Sequence, residues 1–284
     1  MYNPPKLWYA TFMDKKQLAR RQRILEKIQE FTLMDDNFMT VAFDNDIPCT
    51  QYVLRIIIQN DTLIVKSVKT QYEIKSLQGR SVRLDVRAED SSGKIYDIEI
   101  QNLDSGAGAR RARYNSALMD ADATVPKMDT ESLPETYVIF ITANDVLGSA
   151  LPLYHIERKI TELNNKDFDD GAHIIYVNGS YRGEDAIGSL MHDFSCKRAS
   201  DIKSGVLSDK VRHLKESEKG VRNMCKIMQD FVREEREDAK AEGKIETATK
   251  LLEQKKMSEK EIADFFGFTA EQMNLVREQI SARS

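Results

Sequence analysis

The stretch Arg80-Ser-Val-Arg-Leu-Asp-Val-Arg-Ala-Glu-Asp-Ser-Ser-Gly-Lys-Ile-Tyr-Asp-Ile-Glu-Ile-Gln-Asn102 decides how the rest of this chain reads. Two runs of alternating apolar and polar residues flank the turn Ser91-Ser92-Gly93, which is the pattern of an antiparallel hairpin. Centred on Ser92, the hairpin sets Asp85 opposite Glu99 and Arg83 opposite Gln101. Strand side chains alternate between faces. Val82, Leu84, Val86, Ala88, Tyr96, Ile98 and Ile100 are therefore expected to share one buried face. Arg83, Asp85, Arg87, Asp97, Glu99 and Gln101 are expected to share the other. Directly opposed carboxylates repel and cost stability, and a divalent cation between them offsets that cost. The hairpin is thus a candidate metal site. The alternative is an exposed sheet face on which these acids and arginines pair among themselves.

Outward from the hairpin, the pattern alternates helices with strands. Residues 14–34 read as a helix, with Leu18, Ile24, Leu25, Ile28 and Leu33 at helical spacing. Asp35-Asp36-Asn37-Phe38-Met39 opens a second helix that reaches Phe43. Residues 49–59 are strongly apolar and read as a helix that Asn60-Asp61 ends, although their β-branched residues also suit a strand. Residues 63–68 read as a strand, and residues 72–77 as a further short strand or extended arm. Beyond the hairpin, residues 109–121 form a helix carrying Arg110, Arg111, Arg113 and Tyr114. The continuous apolar runs Tyr137-Val-Ile-Phe-Ile-Thr142 and His173-Ile-Ile-Tyr-Val177 read as buried strands. From residue 184 onward the pattern is predominantly helical. Residues 208–242 suggest a charged helix, Gly243 a kink or break, and residues 244–256 a resumed helix. Ser258-Glu-Lys-Glu261 and Thr269-Ala-Glu-Gln272 are capping boxes that start two short helices in a helix-turn-helix shape. The expected division is an α/β domain over residues 1–200 and a helical extension over residues 201–284.

Composition narrows the possible functions. Of the 284 residues, 41% are hydrophobic and 31% charged, the balance of a water-soluble protein. No run approaches 18 apolar residues, so no membrane span is expected. The first residues, Met1-Tyr-Asn-Pro-Pro5, lack the basic start and apolar run of a secretion signal. Three widely spaced cysteines suit a reducing compartment, and the expected location is cytoplasmic. No Cys/His group has zinc-ligand spacing. The net charge of −4 means that any contact with nucleic acid must come from a local basic patch.

Helix, strand, acidic hairpin, basic helix and buried strand is the order of a restriction-endonuclease-like core. The block Gly79-Arg-Ser-Val-Arg-Leu-Asp-Val86, then Tyr96-Asp-Ile-Glu-Ile-Gln101, then Arg110-Arg-Ala-Arg-Tyr114 resembles the Rpn family of recombination-promoting nucleases, the PD-(D/E)XK nuclease family transposases. The resemblance extends to Asp35-Asp-Asn-Phe-Met39, to Tyr137-Val-Ile-Phe-Ile-Thr-Ala-Asn-Asp145 and to Tyr154-His-Ile-Glu-Arg158. It also takes in His173-Ile-Ile-Tyr-Val-Asn-Gly179 and Met191-His-Asp-Phe194. It covers residues 30–200, with these blocks in order.

The resemblance implies a mixed sheet flanked by helices and a Mg²⁺- or Mn²⁺-dependent DNA endonuclease, acting on double-stranded DNA in recombination or mobile-element transactions. It places metal ligands at Asp85 and Glu99, with the backbone carbonyl of Ile100 as an added ligand, and catalysis at Asp85, Glu99 and Gln101. Gln101 stands where the superfamily usually has lysine. An amide carries no charge but can orient a water, as glutamine does in some phosphoryl-transfer enzymes. Asp36 is a candidate additional acid, with a helix N-cap as its alternative. Arg110, Arg113 and Tyr114 are candidate phosphate-binding residues. Their alternative is a surface helix paired with Asp120 or Asp122. The terminal helices are expected to pack or oligomerise, as in a homodimer, rather than read DNA sequence. A catalytically inactive nuclease fold serving as a DNA-binding or protein-interaction module remains the competing function.

Overall fold

A computed structural model describes residues 15–75, 80–102, 106–254 and 256–283. Residue 14, the end of the expected 72–77 strand and the first residues of the chain lie outside these. Three helices come first: α1 (Lys15–Glu30), α2 (Asp36–Phe43) and α3 (Ile47–Ile58). Then follow β1 (Val65–Ile74), β2 (Val82–Asp90), β3 (Ile95–Gln101), α4 (Ala109–Ala123) and β4 (Thr136–Thr142). The strands β5 (Leu153–Ile156), β6 (Lys159–Ile160), β7 (Lys166–Asp167) and β8 (Ala172–Asn178) precede α5 (Ala186–Ser195) and α6 (Gly205–Glu216). The chain closes with α7 (Glu218–Glu253), α8 (Glu259–Phe266) and α9 (Ala270–Arg283).

The compact units are Met1–Cys225 and Lys226–Ser284, so α6, which the sequence reading assigns to the extension, sits within the first. That unit is built on a six-stranded mixed sheet in the order β1-β2-β3-β4-β8-β5, while β6 and β7 pair separately. β3, β4 and β8 run parallel and the remaining pairs antiparallel. Parallel strands covered on both faces need apolar side chains on both, and Val138, Ile139, Phe140 and Ile141 of β4 are all fully buried. Helix α4 packs against one face of the sheet, while α2 and α3 lie against β1, backed by α5 and α6. The β-branched residues of 47–58 do not prevent a helix. Asp46 accepts a hydrogen bond from the Cys49 amide at 2.9 Å, Gln59 closes the end in the left-handed conformation, and Val53, Leu54 and Ile57 are buried.

The hairpin has the expected register, from Glu89 opposite Ile95 to Val86 opposite Ile98. Its turn is held by Asp90, which accepts from the amides of Ser92 and Lys94 at 2.8 and 3.0 Å, and by Gly93 at φ 87°. The expectation of one continuous apolar face fails at Asp85. On β1 the residue between the pairs Thr70–Val86 and Tyr72–Leu84 is Gln71, at φ 52°. A left-handed residue inside a strand re-aims the side chains beyond it. Val86 and its partner Ile98 face away from α4, because Asp97 next to Ile98 meets α4 through Asn115. Leu84 and Val82, by contrast, pack with Ala112 and Met119 of α4 and with Val138 and Phe140. The residues expected as a separate arm after Thr70 instead continue β1.

At the far side of the first unit, the Lys215 side chain is buried. Its ammonium donates to the carbonyls of Gln29, Phe31 and Lys197 and lies 5.2 Å from the Phe38 ring centroid. It thereby satisfies carbonyls left open where α1 ends. In the second unit, of the kink or break expected at Gly243 the break is absent, since α7 runs through it. One tolerated glycine costs a helix only about 1 kcal/mol. Both capping boxes form: Ser258 and Glu261 bond reciprocally, as do Thr269 and Gln272. Ile245, Ala248, Ile262, Met273 and Val276 make a small core of their own.

Replacing Lys215 with Met keeps the apolar stem but leaves three carbonyls without their donor. We expect Lys215→Met to lose about 2–4 kcal/mol in urea unfolding. A loss under about 0.5 kcal/mol, the range of ordinary surface changes, would show that the lysine is dispensable.

Candidate active site

Two acids alternate along β3. Asp97 and Glu99 point to the α4 side and are fully buried, because the small Ala112 and Ser116 let that helix approach closely. Asp97 Oδ2 accepts from Asn115 Nδ2 at 3.2 Å. Glu99 Oε2 is ion-paired with Arg111 Nη2. As ionised carboxylates, each keeps one oxygen, Asp97 Oδ1 and Glu99 Oε1, without a hydrogen-bond partner. Buried polar atoms are rarely left in that state.

Asp85 approaches from β2 in an unexpected way. Its Oδ2 accepts from the Ile100 amide at 3.1 Å, so the carboxylate takes the place of a main-chain partner where the ladder stops at Val86. Asp85 is therefore not a simple cross-strand neighbour of Glu99, although the two remain electrostatically linked. Burial first, then the charges of Glu99 and Asp36, pushes the Asp85 carboxyl up to about 8, against the Ile100 amide and Arg111. Burial and then Glu99 hold Asp97 well above the usual carboxylate range. Burial also raises Glu99, which Arg111 opposes most strongly. Glu99 gains further from a hydrogen bond with the Asp97 side chain, which an Asp97 hydroxyl donates when that acid is protonated.

Arg111 ties these groups together from the first turn of α4. Its Nη1 donates to Gln101 Oε1 at 3.2 Å and to the Gly106 carbonyl at 3.0 Å, and its guanidinium lies 5.8 Å from the Phe140 ring centroid. Gln101 Nε2 points at Glu99 Oε2 across 3.4 Å. A Cβ at Gly106 would come within 1.8 Å of Gln101 Oε1, so any side chain there would displace the Gln101 amide.

Asp85 opens onto a cleft of about 780 Å³, lined also by Asp36, Ile100, Gln101, Arg111 and Tyr114, with Arg80 and Arg83 in its wall, while Asp97 and Glu99 lie buried behind that lining. Asp36 is the first residue of α2 and not its cap. Asp35 holds the cap position, with its own carboxylate turned back to the Thr32 amide and hydroxyl at 2.7 and 3.0 Å. Tyr114 reaches the cleft and donates to the Arg80 carbonyl at 2.6 Å. Arg110 and Arg113 are exposed on α4 and do not line the cleft. Asp120 and Asp122, their alternative partners, accept from the hydroxyls of Thr136 and Tyr72.

Sequence reasoning placed Asp85, Glu99, Gln101, Asp36 and Tyr114 around one site, and the fold brings them together. It missed Arg111, Asp97 and Asn115. The four-residue spacing of Arg111 and Asn115, on the face that carries Ala112 and Ser116, was the available signal. Among the described residues no set of three or more His, Cys, Asp or Glu side chains stands ready as a metal cluster. Mg²⁺ nonetheless accepts one or two carboxylates and keeps its waters. The Asp85 carboxylate in the cleft wall, with the unpartnered Oε1 of the buried Glu99 behind it, suits that requirement.

The raised carboxyls also set a direction for stability. An acid whose folded pKa lies above its unfolded value is harmless below the unfolded value, about 4. The penalty then grows with pH until the folded acid ionises as well. Asp97→Asn removes one such acid and gives Glu99 Oε1 an amide donor. Its melting temperature without added metal should exceed the parent's at pH 8 by at least about 2–4 °C, with the gain vanishing towards pH 4. An equal difference at both pH values would contradict this titration.

Residues 53–180 match the family model for the PD-(D/E)XK nuclease family transposase. No curated protein and no solved structure matches the chain. The matched span contains the hairpin, α4 and the parallel strands, with Asp85, Glu99, Gln101 and Arg111, and leaves Asp36 outside. What the comparison shows is therefore a match to the PD-(D/E)XK nuclease family transposase model over residues 53–180, the part of the chain that carries the candidate site.

Proposed function

We propose that this chain is a divalent-metal-dependent DNA endonuclease, using Mg²⁺ or Mn²⁺ and acting on duplex DNA in recombination or mobile-element transactions. One observation carries the reading beyond the family match. A fully buried glutamate with an unpartnered oxygen stands behind Asp85, which lines a cleft whose walls also carry Arg80, Arg83, Arg111 and Tyr114.

Phosphodiester hydrolysis needs charge neutralisation at the phosphate and an activated water. Asp85 and Glu99 would hold the metal, with the Ile100 carbonyl as an added ligand. The ion supplies Lewis acidity and lowers the pKa of a bound water. Asp36, from α2, adds negative charge from the opposite side of the cleft. Gln101, whose amide both donates and accepts, orients the attacking water. Arg80, Arg83 and Tyr114 position the strand. The three cysteines form no disulfide among the described residues, which suits action in the reducing cytoplasm.

The competing reading is a nuclease fold that binds DNA or protein without cutting. Arg111 favours it in one respect, because part of the charge on Glu99 is already neutralised. Cleavage decides between the two. Asp85→Ala and Glu99→Ala should each slow Mg²⁺-dependent nicking of supercoiled plasmid by at least about 100-fold, with circular dichroism unchanged. Either variant cutting as fast as the parent would remove the assigned site. A parent that neither nicks nor changes its melting temperature with Mg²⁺ or Mn²⁺ would favour the non-catalytic module.

A further inference from the structure

We propose that Arg111 is a displaceable counter-ion: it holds Glu99 in the metal-free chain, yields that carboxylate to a divalent cation, and then turns its guanidinium to the phosphate of the substrate. The inference rests on the metal-dependent reading of the site and adds a residue and an order of events to it.

The argument is one of oxygens. Glu99 has two, and although Oε1 is unpartnered, neither is reached from the cleft while the side chains around it stay in place. Oε2 carries Arg111, and Oε1 lies on the side of Asp97, whose own Oδ1 is equally without a partner. A divalent cation can reach Glu99 only if Asp97 or Arg111 gives way. Asp97 is fully buried and fixed by Asn115 at 3.2 Å, so its movement would unpack α4 from the sheet. Arg111 differs in every respect. Its side chain is 42% exposed, whereas that of Glu99 is fully buried. It lines the cleft, and its remaining partners are a side-chain amide and one carbonyl. These cost little to exchange for water.

Charge supports the same direction. Arg111 and a divalent cation repel when both sit on one carboxylate, so occupancy by one disfavours the other. A guanidinium freed at the cleft wall carries a planar donor fork, which suits two phosphate oxygens. Arg80 and Arg83 already stand in the same wall. In the metal-free chain Arg111 keeps Glu99 neutralised, which lets a buried acid persist without a bound ion.

Titration calorimetry of Mn²⁺ into the full chain tests the competition. Arg111→Gln should bind Mn²⁺ about tenfold tighter than the parent. The same variant, titrated onto a short duplex in Ca²⁺ by fluorescence anisotropy, should bind more weakly. The slope of log affinity against log salt should be shallower by about one. Mn²⁺ binding by Arg111→Gln that is equal to or weaker than the parent's overturns the proposal while leaving the metal site standing. Failure of the parent itself to bind Mn²⁺ overturns both. Arginine Nε–H resonances of the ¹⁵N-labelled parent give a second readout that needs no folded glutamine variant. The resonance missing from Arg111→Lys should shift on addition of Mg²⁺. Its constancy while Mg²⁺ binds elsewhere in the spectrum would sink the exchange.

Discussion

A carboxylate taken fully out of water must be neutralised, and Glu99 near the end of β3 is such a group. The structure around it can be read as the means of meeting that demand. The charge of Glu99 disfavours the ionised forms of Asp85 and Asp97, and Asp85 adds to the effect on Asp97. Three buried or half-buried acids cannot all stay charged beside one arginine. Arg111 takes one charge and a proton on Asp97 removes a second, which leaves Asp85 as the acid most exposed to the cleft and most dependent on what enters it. The cluster destabilises the fold slightly and in doing so creates affinity for cations. Such perturbed groups in a cleft mark functional sites more often than structural ones.

The scaffold that permits this arrangement is specific. β3 lies between an antiparallel neighbour and a parallel one, so its position is fixed by hydrogen bonds on both edges. Helix α4 crosses its acidic face with Ala112, Asn115 and Ser116, residues small or polar enough to leave room for carboxylates. Gly106 leaves the space that Gln101 fills. At Gln71 the left-handed backbone interrupts the β1–β2 face pattern beside Asp85, whose carboxylate lies against the β3 amide instead of above the sheet. Irregularities of this kind at strand positions next to a site re-aim single side chains.

Much of this was legible in the chain itself. The period-two pattern and the Ser91-Ser92-Gly93 turn fixed the hairpin register, and the continuous apolar runs around residues 137–142 and 173–177 marked the parallel core. The face reversal at Leu84 was not legible, because it arises on a different strand from a backbone angle at a non-glycine residue. Arg110 and Arg113 were favoured over Arg111 for a similar reason. Arg110 and Arg113 are one turn apart and Arg111 lies between them, so spacing alone could not say which edge of α4 faces the sheet. Ala112, Asn115, Ser116 and Met119 settle that edge, and Arg111 borders it while its neighbours point to solvent. Asp97 looked like one more surface acid, because the sequence pattern says nothing of a helix that covers the polar side of a hairpin.

Gln101 and Arg111 explain each other. A lysine at 101 could donate to Glu99 but could not accept, and its ammonium would face the Arg111 guanidinium across hydrogen-bond distance. The glutamine does both: Nε2 turns to Glu99 and Oε1 receives Arg111 at 3.2 Å. An amide at this position therefore suits a site whose cation comes from the following helix and not from the strand itself. It follows that Gln101 alone is not a weakened lysine. The functional unit is the pair, and a lysine placed at 101 would expel Arg111 before it could add a charge of its own. In this chain the cation beside Glu99 stands on α4, where an exposed side chain can leave the carboxylate.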